Sequence, residues 1–196
     1  MEKGHRPVGE QAIELMAIPM DARVLDVGCG SGWATRLMAE KASGGHVVGI
    51  DIADEMIDIA RDTSTSFANV DFRVASAEAL PFPDASFTHA FSMESLYYYA
   101  DLLVALKEIR RVLNPGGPFV TVVDLYQENE PSGQWIADFV RNTRSDTPDT
   151  RHDFCRGELA LHLFETRRNL CAIRCKVAAP EHSKRTRDGR ENGHYG

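Results

Sequence analysis

The 196-residue chain has only four cysteines, and none stands in a C-x-x-C pair. Neither a zinc site nor a disulfide framework therefore has the spacing it needs, and the four read as reduced thiols. No apolar run approaches the roughly 18 residues of a membrane-spanning helix. The opening MEKGHRPVGE also lacks the apolar core of a secretory signal, so the expected location is the cytoplasm. Internal repeats are missing too, which excludes solenoids and propellers. Positive charge is scarce over residues 1–140, where 10 basic side chains face 21 acidic ones for a net −11. That balance argues against a nucleic-acid partner. Residues 141–196 run the other way, at net +4.

What is present is an alternation of short apolar runs with helical patterns, the signature of a parallel sheet with crossover helices. Strands are expected at 22–28, 46–51, 70–75, 87–93 and 119–125. DLLVALKEIRRVL puts Leu102, Leu103, Leu106, Ile109 and Leu113 on one helical face before NPGG stops it. DEMIDIARD, 54–62, carries acids in its first turn, where the helix dipole favours them. Another helix is expected over 8–17.

Between the first strand and the helix that follows it lies VLDVGCGSGW, residues 24–33. Such a turn brings backbone N–H groups and a helix N-terminus to a ligand. The nucleoside triphosphate version needs G-x-x-x-x-G-K-[ST], which is absent. The dinucleotide version needs G-x-G-x-x-G, whereas Trp33 stands where the third glycine belongs. Asp26 sharpens the choice: a carboxylate beside the loop repels a pyrophosphate and attracts an ammonium. Asp51 ends the second strand, where an acid accepts the hydroxyls of an unphosphorylated ribose. An amino-acid end joined to a nucleoside describes S-adenosylmethionine.

The residues that lead there also carry a resemblance. VLDVGCGSG, VVGIDIADEMIDIAR, ASAEALPFPDASF and LNPGG are similar, in order, to four motifs of the class I S-adenosylmethionine-dependent methyltransferases, in the subgroup of the ubiquinone and menaquinone C-methyltransferases. The match covers residues 8 to about 130. It implies a Rossmann-like doubly wound α/β fold. It also implies that Asp26 and the backbone of Gly28, Cys29, Gly30, Ser31 and Gly32 hold the methionine end, and that Asp51 holds the ribose. Ile52 and Met56 would pack on the adenine, Ser76, Ala77 and Glu78 would border it, and Ser92 would lie beneath the ribose and methionine. Cys29 needs no nucleophilic role, because methyl transfer from a sulfonium uses none.

The acceptor side is less legible. Glu94 is the candidate base, and Tyr97, Tyr98 and Trp135 are candidate pocket residues, because they follow the fourth strand or the fifth, where such a fold opens. The plan is one cofactor-binding domain over 1–142, its C-terminal part over 143–178, and a disordered tail over 179–196. After residue 126 the sequence offers one strand, CAIRCKV, and a helix over 157–168, which leaves three readings: a shortened sheet with an incomplete C-terminal β-hairpin, a further strand that the pattern does not reveal, or an end that does not pack and leaves the fifth strand an exposed edge. The expected activity is methyl transfer to a small-molecule acceptor, with no metal. Two alternatives remain: cofactor binding without turnover, and an NAD-dependent oxidoreductase, for which Tyr-x-x-x-Lys spacing is absent.

Overall fold

A computed structural model of the protein describes residues 2–124, 159–163 and 170–176, with side chains over 6–123. Seven strands form one sheet: β1 (Arg23–Val27), β2 (His46–Asp51), β3 (Val70–Val74), β4 (His89–Met93), β5 (Pro118–Asp124), β6 (Leu159–Leu163) and β7 (Leu170–Lys176). Their order is β3-β2-β1-β4-β5-β7-β6. The first five pair in parallel, and β7 runs antiparallel to both β5 and β6. The five expected parallel strands are present, with ends shifted by at most two residues.

Successive residues of β1 leave on opposite sides, and both sides are apolar because helices cover both faces. Leu25 and Val27 join Val48, Ile50, Ala90, Phe119 and Val123 in a core under α4 (Leu102–Val112), which contributes Leu106, Ile109 and Val112. Val24 joins Val47, Phe91, Val120 and Val122 in a second core, filled by Ile13 of α1 (Glu2–Leu15) and Met38 of α2 (Trp33–Lys41). Helix α3 (Asp54–Thr63) closes the β3 side with Ile57 and Ala60 against Phe72. Asp101 caps α4, its carboxylate accepting from the N–H groups of Leu103 and Val104 at 3.0 and 3.1 Å. Gly116, at φ +80°, supports the turn into β5.

The C-terminal expectation needs correction. Leu159–Leu163, inside the stretch read as helix, is strand β6, and it pairs with β7 over five residues. The hairpin is therefore complete, and β5 is covered by β7 from Pro118↔Lys176 to Asp124↔Leu170 rather than left as an edge. LALHL is a five-residue apolar run, too short for periodicity to tell strand from helix, and pairing with a distant segment decided it. The tail expected from 179 lies outside the described residues.

Candidate functional site

Strand order reverses between β1 and its two neighbours, β2 on one side and β4 on the other. In a doubly wound sheet the crossovers leave on opposite faces at this point, and a crevice opens at the carboxyl ends of the strands. A cavity of about 530 Å3 lies there. Four consecutive strand ends line it, through Asp26 to Ser31 after β1, Ile50 to Ile52 after β2, Ala75 to Glu78 after β3, and Met93 to Ser95 after β4.

The glycine loop makes a tight return over β2. The N–H groups of Gly28 and Cys29 both donate to the Ile50 carbonyl at 2.8 Å, and that of Gly32 donates to the Cys29 carbonyl at 3.0 Å. Gly28, Gly30 and Gly32 all have positive φ, which side-chain-bearing residues adopt at a cost. At Gly28 space forbids a side chain as well, since an added Cβ would stand 2.4 Å from that of Ser95. Much of the loop's donor capacity is thus spent on holding its own shape. Gly32 caps α2 and packs on Phe72 rather than lining the cavity.

Asp51 is held at both oxygens: Oδ2 accepts from the Gly30 N–H at 2.9 Å and Oδ1 from the Ala53 N–H at 3.0 Å. Each oxygen keeps lone pairs for further donors. Beside it, Ile52 is 75% exposed at the cavity mouth, an apolar surface that a flat ring would cover. Met56, Ala75 and Ala77 continue that wall. Ser76 donates to Glu78 Oε2, and Glu78 Oε1 accepts from the Ala100 N–H at 2.7 Å. Burial works against the Glu78 carboxylate, but these hydrogen bonds outweigh it and hold the group below its usual range. Glu78 thus ties the β3 end to the start of α4.

Asp26 is the unusual charge. It is 1% exposed, and Thr35 of α2 donates to its Oδ2 at 2.6 Å. Burial pushes its pKa up to about 7 in spite of that bond, and Asp51 adds repulsion. A carboxylate in this condition is short of a cation. Cys29 lies behind the loop with Ile57, Ala60 and Phe72. Burial, then the charges of Asp26 and Asp51, push its thiol far up, so it is inert as a nucleophile.

Under the cavity lies a cluster of hydroxyls of which the sequence reading named only Ser92. Ser95 Oγ donates to the Val27 carbonyl at 3.0 Å, and it lies 2.6 Å from Ser92 Oγ and 3.0 Å from Tyr99 Oη. With its one proton committed to Val27, Ser95 accepts from the other two. Burial pushes the Tyr99 phenol up to about 12, so it stays neutral. Ser95, Tyr99 and Tyr98 line the cavity, whereas Ser92 and Tyr97 do not. Tyr97 instead donates to Glu94, whose two carboxylate oxygens lie 3.2 Å from its hydroxyl. Glu94 does line the cavity, on a backbone at φ +54°. Of the three consecutive tyrosines, which fall on and just after a short 3-10 helix over Leu96–Tyr98, the middle and last line the cavity. Trp135 lies outside the described residues. Trp33, Met93, Ser95 and Tyr99 are lining residues the sequence reading did not name. No group of His, Cys, Asp or Glu that could hold a metal ion occurs among the described residues.

Sheet order and cavity together define a Rossmann-like α/β protein with a ligand-sized crevice at the point of strand-order reversal and an antiparallel seventh strand. Comparison with known proteins narrows this. A methyltransferase domain family model matches residues 25–121. The demethylmenaquinone methyltransferase of Bacillus licheniformis is 34% identical over 119 residues, covering 60% of this chain and 51% of the relative. A methyltransferase in complex with the Haloferax volcanii Trm112 methyltransferase activator superposes with a TM-score of 0.73 at 26% identity, over 91% of this chain and 92% of that one. The [4+2]-cyclase SpnF superposes with a TM-score of 0.59 at 30% identity, over 63% of this chain and 46% of that one. The chain resembles the class I S-adenosylmethionine-dependent methyltransferases, in its methyltransferase domain over residues 25–121 and in its fold. It spans about half the length of the curated relatives it matches.

Proposed function

We propose that the protein transfers a methyl group from S-adenosylmethionine to a small-molecule acceptor. The observation that carries this is the pairing, in one cavity, of a buried carboxylate short of a cation with a braced carboxylate beside an exposed apolar wall. The first suits an α-ammonium, the second a ribose diol, and the wall an adenine. The residues present therefore fit the family's cofactor, and a 2′-phosphate would meet Asp51 with repulsion.

When bound, the cofactor supplies an electrophilic methyl on a sulfonium, already a good leaving group. The chain's own contribution is placement. Asp26 and the loop from Gly28 to Ser31 would hold the amino-acid end, Asp51 would hold the ribose, and Ile52, Met56 and Ala77 would hold the ring. The Ser92–Ser95–Tyr99 cluster keeps the floor rigid and excludes bulk water from it. Holding an acceptor in line at near-attack distance supplies most of the acceleration such a site needs. Glu94, which lines the cavity, would take a proton from an acceptor that must lose one. The small-molecule class of acceptor follows the curated relatives, and the acidic balance of residues 1–140 argues against a nucleic-acid partner. Among the described residues no helix is long and apolar enough to cross a membrane, and we assign the protein to the cytoplasm. The domain over 1–142, continued over 143–178, carries the site.

A second reading, cofactor binding without methyl transfer, is favoured by one observation: the same fold serves a cyclase among the structural relatives. Calorimetric titration with S-adenosylmethionine, with NAD as control, tests the cofactor. Micromolar binding that is lost in Asp51→Ala supports the proposal, and NAD binding in its place refutes it. A screen for transfer of labelled methyl from S-adenosylmethionine then separates enzyme from binder.

A further inference from the structure

Thr35 has no surface: it is fully buried, one turn into α2, and does not line the cavity. A threonine in a helix commonly turns its hydroxyl back on a carbonyl of its own helix. This one crosses instead to another element, donating to Asp26 Oδ2 at 2.6 Å. That bond is short and charge-assisted, and both partners are out of water. We propose that Thr35 is the positioning residue of the ammonium site: its hydroxyl fixes the rotamer of Asp26 and keeps that carboxylate ionised, leaving the second oxygen for the cofactor's amino group. The proposal rests on the S-adenosylmethionine reading above.

The surroundings explain why such a donor is needed. Asp51 from the end of β2 faces Asp26 with like charge. Cys29 in the loop and Tyr99 after β4 are the other titratable neighbours, and both feel the Asp26 charge as unfavourable to their own ionisation. Arg36, the next residue of α2, is turned away, donating to the Ser31 carbonyl at 2.9 Å and to the hydroxyls of Thr63 and Ser64. Among the described residues no cation forms an ion pair with Asp26. Burial pushes the group up to about 7 while the Thr35 bond pulls it down, so loss of that bond leaves Asp26 protonated at neutral pH. Ionised Asp26 is the form that holds an ammonium, and affinity therefore rises with pH through the Asp26 pKa.

The experiment is the pH profile, from 6 to 8.5, of calorimetric binding of S-adenosylhomocysteine to wild type, Thr35→Val and Thr35→Ser. It runs alongside the pH dependence of urea stability of the same three proteins without ligand. In Thr35→Val, which loses one hydrogen bond to a charged group, the binding midpoint moves up by about one pH unit, so affinity falls roughly tenfold at pH 6 and about threefold at pH 7.5. Thr35→Ser restores both. The ligand-free titration moves in parallel, so the Asp26 shift is read even where binding is weak. A Thr35→Val that binds like wild type across the range, or weakens by a pH-independent factor that serine does not rescue, overturns the role of Thr35. Wild type that fails to bind at every pH overturns the cofactor reading, and the ammonium site with it. A ligand-free titration that Thr35→Val leaves unmoved overturns the ionisation argument on its own.

Discussion

Gly28→Ala tests whether the loop's shape is dictated by φ and by space at once. Gly28 has φ +75°, and an added Cβ would lie 2.4 Å from Ser95 Cβ and 2.7 Å from Ser95 Oγ. A left-handed backbone costs a non-glycine residue about 1–2 kcal/mol. Displacing Ser95 adds to this, because its bond to the Val27 carbonyl is lost and a buried acceptor is left unpaired, at about 1–3 kcal/mol. The expected destabilisation is about 4 kcal/mol, or a drop of roughly 10 °C in Tm for a chain of this size. Thermal melting of the ligand-free protein, with urea unfolding as a check, reads it directly. The companion is Ser95→Gly, which removes the Cβ that the new methyl strikes. Combined with Gly28→Ala it should cost clearly less than the two single losses added together, because the clash is counted once and relieved once. Additive losses, or a Gly28→Ala protein that melts within about 2 °C of wild type, would refute the reasoning.

Two further outcomes follow from the same geometry. Because burial lifts the folded-state pKa of Asp26 to about 7, from an unfolded value near 4, the folded protein holds a proton that the unfolded chain releases. The stability of the ligand-free protein therefore falls as pH rises from about 4 to 7, by up to about 4 kcal/mol from this group. Asp26→Asn should escape that fall and overtake wild type near neutrality. Parallel wild-type and variant curves in urea unfolding across that range would count against the assignment. Arg111 clamps the segment after the Ala75–Glu78 wall of the cavity, donating to the carbonyls of Leu80 and Phe82 at 3.0 and 2.7 Å and to Glu108 and Asp84. Arg111→Met should cost about 2 kcal/mol in stability and weaken cofactor binding without touching the ligand, and Arg111→Lys should not restore it, since the ammonium lacks the planar fork. A methionine variant of unchanged melting temperature and unchanged affinity would show that the clamp is ornamental.

The sequence by itself determined the five parallel strands, the main helices and the glycine loop with its two acids. Each is written in local signals: apolar runs, helical spacing ended by NPGG, and residue types that few other loops tolerate. Asp26 and Asp51 were legible as acids of the cavity wall because each stands at a strand end at a set distance along the chain from the glycines. Tertiary structure alone decided what depends on partners far apart in sequence. Leu159–Leu163 became a strand because β7 offered it a ladder, and nothing within a five-residue apolar run states that. Thr35 acquired its role because α2 packs over the end of β1 and brings its hydroxyl to Asp26 across nine positions. Tyr98 and Tyr99 line the cavity and Tyr97 does not, a choice among three identical neighbours that no local pattern states. The pKa of Asp26 belongs to the same class, since a carboxylate's affinity for its proton is set by how much water the fold removes from it.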